Sequence, residues 1–344
     1  MMRRCFVCAA DMLGPSDRHL AYPNGRVRAF PIACGACGLL LEPEADPAES
    51  RAHLAAQLTG PVFDSDPEAP YGLDLYTLRS AATGHGLGVR PCDAAGETAL
   101  RRPHDRHAAR GTLYALDGAA ERPVSLGLFC RPAALEAALA ALAVHAAWTD
   151  DVVILLDAAA RPPAAMAAAG FPQGTLRVGA RPLGQEFGQE SGQGSGHESG
   201  QDFAAQRNAL QDLARHPWML QLDADETLAA EAGRRLPALA ALAETGDVVS
   251  IGLARRNHVD GVLSDVYPDV QYRLNRRSMR YAGRVHERPV LDGGWPRSLI
   301  TLHGTIAHHL DRAHVLARSR HYERLAPGQG RPEEEAALLR PYRD

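Results

Sequence analysis

At 344 residues the chain has room for one large domain or two ordinary ones. Its 45% hydrophobic and 23% charged residues are those of an ordinary globular protein. A formal net charge of -4 gives nucleic-acid binding no electrostatic support, and the absence of any lysine leaves arginine to carry the permanent positive charge.

No apolar run reaches the ~18 residues of a spanning helix. The richest stretch, Ala133 to Trp148, is interrupted by Glu136 and His145. Met1 to Leu13 holds two cysteines and an aspartate instead of an apolar signal core. A cytoplasmic protein is expected, with contact at the inner face of a membrane left open.

The first 45 residues form one unit. Cys5-Phe6-Val7-Cys8 and Cys34-Gly35-Ala36-Cys37 bracket a polar stretch with a turn at Tyr22-Pro23-Asn24-Gly25. Each CxxC puts two thiolates on one tight turn, and two such turns complete a tetrahedral S4 site. The segment 1–45 therefore reads as a zinc ribbon-like knot with a structural zinc on Cys5, Cys8, Cys34 and Cys37. A closed S4 site has no open position, so its role is structural or in recognition of acceptor or protein. Cys92 and Cys130 read as buried thiols.

Residues 46–122 show no sustained period beyond a helix at Arg51 to Leu58 and read as a connecting region of uncertain fold. From Pro123 the pattern sharpens. Val124 to Phe129 is a buried strand, Pro132 opens an Ala-rich helix with Leu135, Leu139 and Leu142 on one face, and Val152 to Leu156 is a second strand ending at Asp157. Leu176 to Val178 fits a third. Strand, helix and strand with short connections begin a parallel α/β sheet. The Gly-, Gln- and Ser-rich stretch 184–202, with near-duplicate ends at Gly184-Gln185-Glu186-Phe187 and Gly200-Gln201-Asp202-Phe203, reads as a flexible insert. A helix at Phe203 to Arg215, a strand at Trp218 to Leu222, and a helix from about Leu228 to Ala243 follow. Val248 to Leu253, Val270 to Leu274 and Leu299 to Leu302 read as further strands, Arg312 to Leu325 as a closing helix, and the tail from Pro332 as another.

The strand at Trp218 runs straight into Asp223-Ala224-Asp225. Two carboxylates there project beyond the C-terminal edge of a sheet, where α/β ligand sites form. Spaced by one residue, they suit a hard divalent cation that keeps positions open for phosphate oxygens.

The stretch Phe203-Ala204-Ala205-Gln206-Arg207-Asn208, the block Trp218 to Glu226, and the later Tyr272-Arg273-Leu274-Asn275 and Met279 to Glu287 resemble family 2 glycosyltransferases. The likeness is nearest to the branch that adds sugars to bacterial surface polysaccharide cores, and it covers roughly residues 123 to 325. It implies an α/β fold of GT-A type, Rossmann-like and mainly parallel with flanking helices, over 123–344. It implies transfer of a sugar from a nucleotide-sugar donor to an acceptor hydroxyl on a glycan, lipid-linked or peptide substrate, with inversion.

Residue by residue, the resemblance places Asp157 at the nucleotide base, Arg207 at the donor diphosphate or base, and Asn208 in local support. Asp223 contacts ribose or metal, and Asp225 is the main ligand of Mn or Mg. The chain departs from the family at Ala158-Ala159-Ala160-Arg161, where acidic or Ser residues are usual. Glu287 takes the position of the general base that removes the acceptor proton, with Asp260 as the alternative. His286 completes the metal shell or contacts phosphate, and His303, His308 and His309 are further candidates; imidazole tilts the preference toward Mn. Two rival readings remain. One is a binding or scaffold protein with a degenerate GT-A domain. The other is a nucleotidyltransferase, which would want a Gly-rich basic loop where Phe129-Cys130-Arg131-Pro132 stands.

Overall fold

The computed structural model describes residues 4–159, 170–182, 202–283, 286–325, 328 and 332–343. The expected insert at 184–202 lies outside them apart from Asp202, as do Ala160 and Arg161.

Two knuckles open the chain. Cys5 to Cys8 and Cys34 to Cys37 are each followed by a residue in the left-handed region, Ala9 at φ 62° and Gly38 at φ 84°. The chain doubles back there, and the N–H groups of Ala9 and Gly38 donate to Cys5 O at 2.8 Å and Cys34 O at 2.9 Å. Gly38 is further required because a Cβ would lie 2.2 Å from the His104 ring. Short strands β1 (Leu13–Pro15), β2 (His19–Ala21), β3 (Val27–Ala29), β4 (Ile32–Cys34) and β5 (Leu40–Leu41) surround the knuckles.

Next come α1 (Pro47–Gln57), β6 (Val62–Asp64), β7 (Tyr71–Gly72), α2 (Leu75–Gly84), β8 (Leu87–Pro91), α3 (Ala94–Ala99) and β9 (Arg110–Ala115). Asp46, Asp74 and Asp93 cap the three helices by accepting from first-turn N–H groups. Residues 46–122 are thus ordered into elements, most of them too short to show a period. They share a core with the cysteine segment: β5 pairs with β7 across position 45, and one hydrophobic cluster runs from Cys5 and Cys37 through Leu54, Phe63 and Leu78 to Ala109.

The rest of the chain builds a nine-stranded sheet. Its elements are β10 (Val124–Cys130), α4 (Leu135–Ala143), β11 (Val152–Leu156), β12 (Leu176–Ala180), α5 (Phe203–Leu213), β13 (Trp218–Asp223), β14 (Glu226–Leu228), α6 (Ala230–Arg234), α7 (Leu236–Glu244), β15 (Ser250–Val259), β16 (Val262–Leu263), β17 (Asp269–Arg276), β18 (Tyr281–Ala282), β19 (Arg288–Pro289), β20 (Ser298–Leu310), α8 (Arg312–Leu325) and α9 (Pro332–Leu338). The small pair β18 and β19 stands apart from the sheet. The order is β12-β11-β10-β13-β17-β15-β20-β14, with β16 on β15. The first four strands are parallel. Beyond β13 the sheet is mixed: β17 is antiparallel to β13 and β15, β20 is parallel to β15, and β14 is antiparallel to β20.

The helix expected from about Leu228 starts later. Glu226–Leu228 is a strand because it pairs with Ile306 to His308 of β20, a partner about 80 residues away that no local pattern reveals. Pro237 then marks the first turn of a second, separate helix.

One sheet face packs on α4 and α7 through Leu135, Leu142, Leu239 and Leu242, and the other on α5 through Leu210 and Ala214. A buried leucine such as Leu210 contributes roughly 2–5 kcal/mol relative to alanine. Gly127 on β10 permits this close packing, since a Cβ would lie 2.2 Å from Met219.

Candidate functional site

Because β10, β11 and β13 run parallel, their C-terminal ends share one edge. A cleft of about 1010 Å³ opens there. The end of β10 brings Phe129, Cys130 and Arg131, α5 brings Arg207, and β13 delivers Asp223 and Asp225. The mixed half adds Arg255, Gln271, Arg273 and His308, and α8 adds His314 and Arg318. His286 and Glu287 also line the cleft.

The acids and arginines interlock. Arg207 donates to both oxygens of Asp223, at 2.8 and 3.0 Å, and through Nε to Glu287 at 2.6 Å. Arg273 reaches the second oxygen of Asp223 at 2.6 Å and lies 3.5 Å from Glu287. Glu226, fully buried, accepts from the Asp223 N–H at 3.1 Å and from Arg255 at 2.9 Å. Arg255 also binds Asp269, at 2.9 Å through Nε. Asp225 takes a different partner: its Oδ2 is 3.2 Å from His308 Nε2, and His308 Nδ1 is 2.7 Å from Asn257 Oδ1.

Burial, reinforced by the neighbouring carboxylates, pushes Asp223 above the ordinary carboxylate range although Arg207 pulls it down. Burial acts the same way on Asp225, but the contacts with His308 and the charge of Arg255 together outweigh it and hold that acid low. Burial also lowers His308, against the pull of Asp225. Burial opposes charge on Arg207, but Asp223 and Glu287 more than compensate and hold its proton tightly.

The structure therefore brings Arg207, Asp223, Asp225, His286, Glu287 and His308 to one cleft. His286 sits at φ 55°, an uncommon conformation for a non-glycine residue. Glu287 pairs with Arg207 and lies 3.5 Å from Arg273; Arg284 lies outside the described residues. Asn208 clamps the backbone of Tyr281, donating to its carbonyl at 3.0 Å and accepting its N–H at 2.8 Å.

Other candidates are placed elsewhere. Asp157 follows β11 at the same sheet edge but is not among the cleft's lining residues. Asp260 occupies the exposed turn between β15 and β16 at φ 50°, outside the cleft lining, and accepts from the Arg312 N–H. This turn position separates the alternative base from the other candidate acids. His303 sits beside Arg235, and His309 points to Thr227 on the face opposite His308, as alternation along β20 dictates.

Sequence reasoning passed over Arg255, Arg273, Glu226, Asn257 and Asp269. A signal was present in β17, where Asp269, Gln271, Arg273 and Asn275 alternate with Val270, Tyr272 and Leu274. A strand polar on one face inside a sheet marks a site. The partners Arg255 and Asp269 face each other across β15 and β17, as do Asn257 and His308 across β15 and β20.

The cysteine cluster lies apart from the cleft. All four cysteines are buried, and their sulfurs lie within 4.8 Å of one another. The Cys5–Cys37 and Cys8–Cys34 separations are both 3.6 Å. A disulfide needs about 2.05 Å, whereas a tetrahedral zinc with Zn–S bonds of about 2.3 Å has sulfur edges of about 3.8 Å. Donation to Cys34 pushes Cys8 and Cys37 above the usual thiol range, and the donated hydrogen bonds, first from Cys37, hold Cys34 low. With only protons to share, Cys8, Cys34 and Cys37 ionise unevenly; a divalent cation stabilises four thiolates together. The cluster can hold a metal such as zinc. Among the described residues it is the only group of three or more donors close enough to do so unaided.

No described helix is long and apolar enough to cross a membrane. No protein-family model matches the chain, and no curated protein does. Solved structures give remote likenesses. The crystal structure of Staphylococcus aureus TarS residues 1–349 aligns with a TM-score of 0.31 at 8% identity, covering 62% of this chain and 70% of that one. The same fragment in complex with UDP-GlcNAc gives 0.33 at 8% identity, with the same coverage. The S. aureus TarS structure gives 0.30 at 9% identity, covering 62% of this chain and 42% of that one. Likeness at this level carries no argument about activity.

Proposed function

We propose that the chain is a metal-dependent glycosyltransferase of GT-A type, family 2, that moves a sugar from a nucleotide-sugar donor to an acceptor hydroxyl with inversion. The observation that carries this reading is the shared placement of Asp225 and Glu287 in one cleft, at the C-terminal edge of parallel strands and beside two buried arginines. Its volume lies near the upper end of the ~300–1,000 Å³ usual for ligand pockets. The sequence resemblance over residues 123 to 325 supplies the reaction type.

Asp225, with His308 and Asp223 nearby, is the donor set for Mn or Mg. A carboxylate and an imidazole would suit such an ion, which would also take up phosphate oxygens of the donor. Held there, such an ion would offset charge on the departing nucleoside diphosphate. Arg207 and Arg273 place fixed cations at the same wall, where a diphosphate would draw on them in place of Asp223 and Glu287. Glu287 then takes the proton from the acceptor O–H as that oxygen bonds to the anomeric carbon and the C–O bond to the diphosphate breaks. Asp157 is proposed for the nucleotide base, Asp223 for ribose or metal, and His286 for metal or phosphate. The acceptor is a glycan, a lipid-linked sugar or a peptide, and contact with the inner face of a membrane fits this reading.

A second reading, a non-enzymatic binding domain, is favoured by the occupation of both Asp223 oxygens by arginine. Donor hydrolysis with UDP- and GDP-sugars, alongside melting curves with Mn and nucleoside diphosphate, separates the two. Asp225→Ala is expected to lose metal-dependent stabilisation. Glu287→Gln is expected to keep it and to lose roughly 10²–10⁴-fold in turnover. Retained turnover in Glu287→Gln removes that base; metal-independent nucleotide binding without turnover in the wild type favours the binding domain.

A further inference from the structure

Arg4 immediately precedes the first cysteine, and its side chain is buried against a distant part of the chain. Its guanidinium donates to Ala9 O of its own knuckle at 3.2 Å, to Tyr267 O at 2.6 Å, to Asp265 Oδ1 at 2.7 Å and to Arg343 O at 2.9 Å. It also lies 4.3 Å from the centre of the Tyr342 ring. The planar, rigid fork of arginine holds these acceptors in one fixed arrangement.

The segment from Ser264 to Pro268 that Arg4 grips is a wall of the cleft, lined there by Val266 and Pro268. From this wall a hydrogen-bonded chain runs inward. Val266 O accepts from Asn257 Nδ2 at 3.1 Å, Asn257 Oδ1 meets His308 Nδ1 at 2.7 Å, and His308 Nε2 meets Asp225 Oδ2 at 3.2 Å. Asn257 and His308 are both buried, so few alternative partners exist for either.

We infer that Arg4 is a positioning residue: through the 264–268 wall, Asn257 and His308 it sets the carboxylate of Asp225, and so links the cysteine knot to the cleft. The knot is the two-state element this link requires, because a knot of four thiolates forms with its metal and loosens without it. Loosening frees Ala9, the only acceptor of Arg4 within the knuckle among the described contacts. The importance of Asp225 rests on the proposed function, whereas the mechanical link does not.

The test uses the full chain purified with its knot metal. Backbone hydrogen exchange at 263–268 and 305–310 and the affinity for Mn²⁺ alone, by electron paramagnetic resonance, are measured in wild type, Arg4→Met, Asn257→Leu and the double variant. Each single change is expected to speed exchange in both segments and to weaken Mn²⁺ about tenfold. The double variant should be no weaker than the worse single one, since both break the same chain. Asp151→Asn, which loosens the far edge of the sheet, should leave Mn²⁺ affinity unchanged, so loss of stability alone does not mimic the effect. Should Arg4→Met fail to accumulate, Asp265→Asn takes its place. Additive losses, or faster exchange in Arg4→Met confined to the chain ends, overturn the inference. If wild type binds no Mn²⁺, the metal reading of the cleft fails, and exchange at 305–310 still decides the link.

Discussion

Asp151 is a fully buried carboxylate that ties together the starts of the four parallel strands. It accepts from Ser125 Oγ at 2.6 Å on β10, from Arg177 Nε at 3.0 Å on β12 and from the Arg215 N–H at 2.8 Å ahead of β13. Burial alone would raise its pKa, but these three donors outweigh burial and hold it below the ordinary carboxylate value. A depressed folded pKa stabilises the protein at every pH above the unfolded value of about 3.9, and the gain is lost as pH falls through the folded value. Asp151→Asn is expected to lower stability by roughly 3 kcal/mol at pH 7, as for a broken buried pair. In urea titrations the gap to wild type should hold from pH 7 to about pH 5 and close below about pH 4. A gap that widens toward acid would contradict the assignment. At this scale the sequence reveals some residues and hides others. Asp223, Asp225, Arg207 and Glu287 stand in local motifs, while Arg255 and Asn257 acquire their roles from partners on neighbouring strands.

The cysteine knuckles show the same division among elements. Their spacing predicts four converging thiols, and the left-handed Ala9 and Gly38 show how each turn closes. What the sequence did not show is which residues complete the small core of the knot. Its cysteines belong to a cluster that includes Leu54, Leu78 and Val89 from residues 46–122, in strands and helices too short to show a period. Metal binding should therefore stabilise a larger unit than 1–45. A purified chain is expected to carry one zinc. Stripping it with a chelator, or replacing Cys37 by Ser, should lower the melting temperature by roughly 5 °C, the scale of about 3–4 kcal/mol lost from a protein of this size. Calorimetry that shows an unchanged transition after complete metal removal would refute a structural metal. The parallel strands β10, β11 and β13 were legible because each is a continuous apolar run between turn signals. Strand β14 was not, since only its pairing with β20 makes it a strand.

Across the whole molecule the N-terminal unit and the sheet work as one body. Helix α2 packs on β20, Tyr76 of that helix joins the main core and donates to Ser298 O at 3.0 Å, and Arg4 joins the knot to the cleft wall. The cleft itself is nearly charge-balanced in its present state, with its arginines resting on its acids. A nucleoside diphosphate and a divalent cation entering together would exchange those internal pairs for external ones. Crystals soaked with manganese and a nucleoside diphosphate test this directly through the anomalous signal of manganese. The expected result is a peak within about 2.5 Å of an Asp225 carboxylate oxygen, with the diphosphate on its open side and within reach of Arg207 or Arg273. A cleft with nucleotide but no manganese at Asp225, or an Asp225 carboxylate turned to bulk solvent, would contradict it.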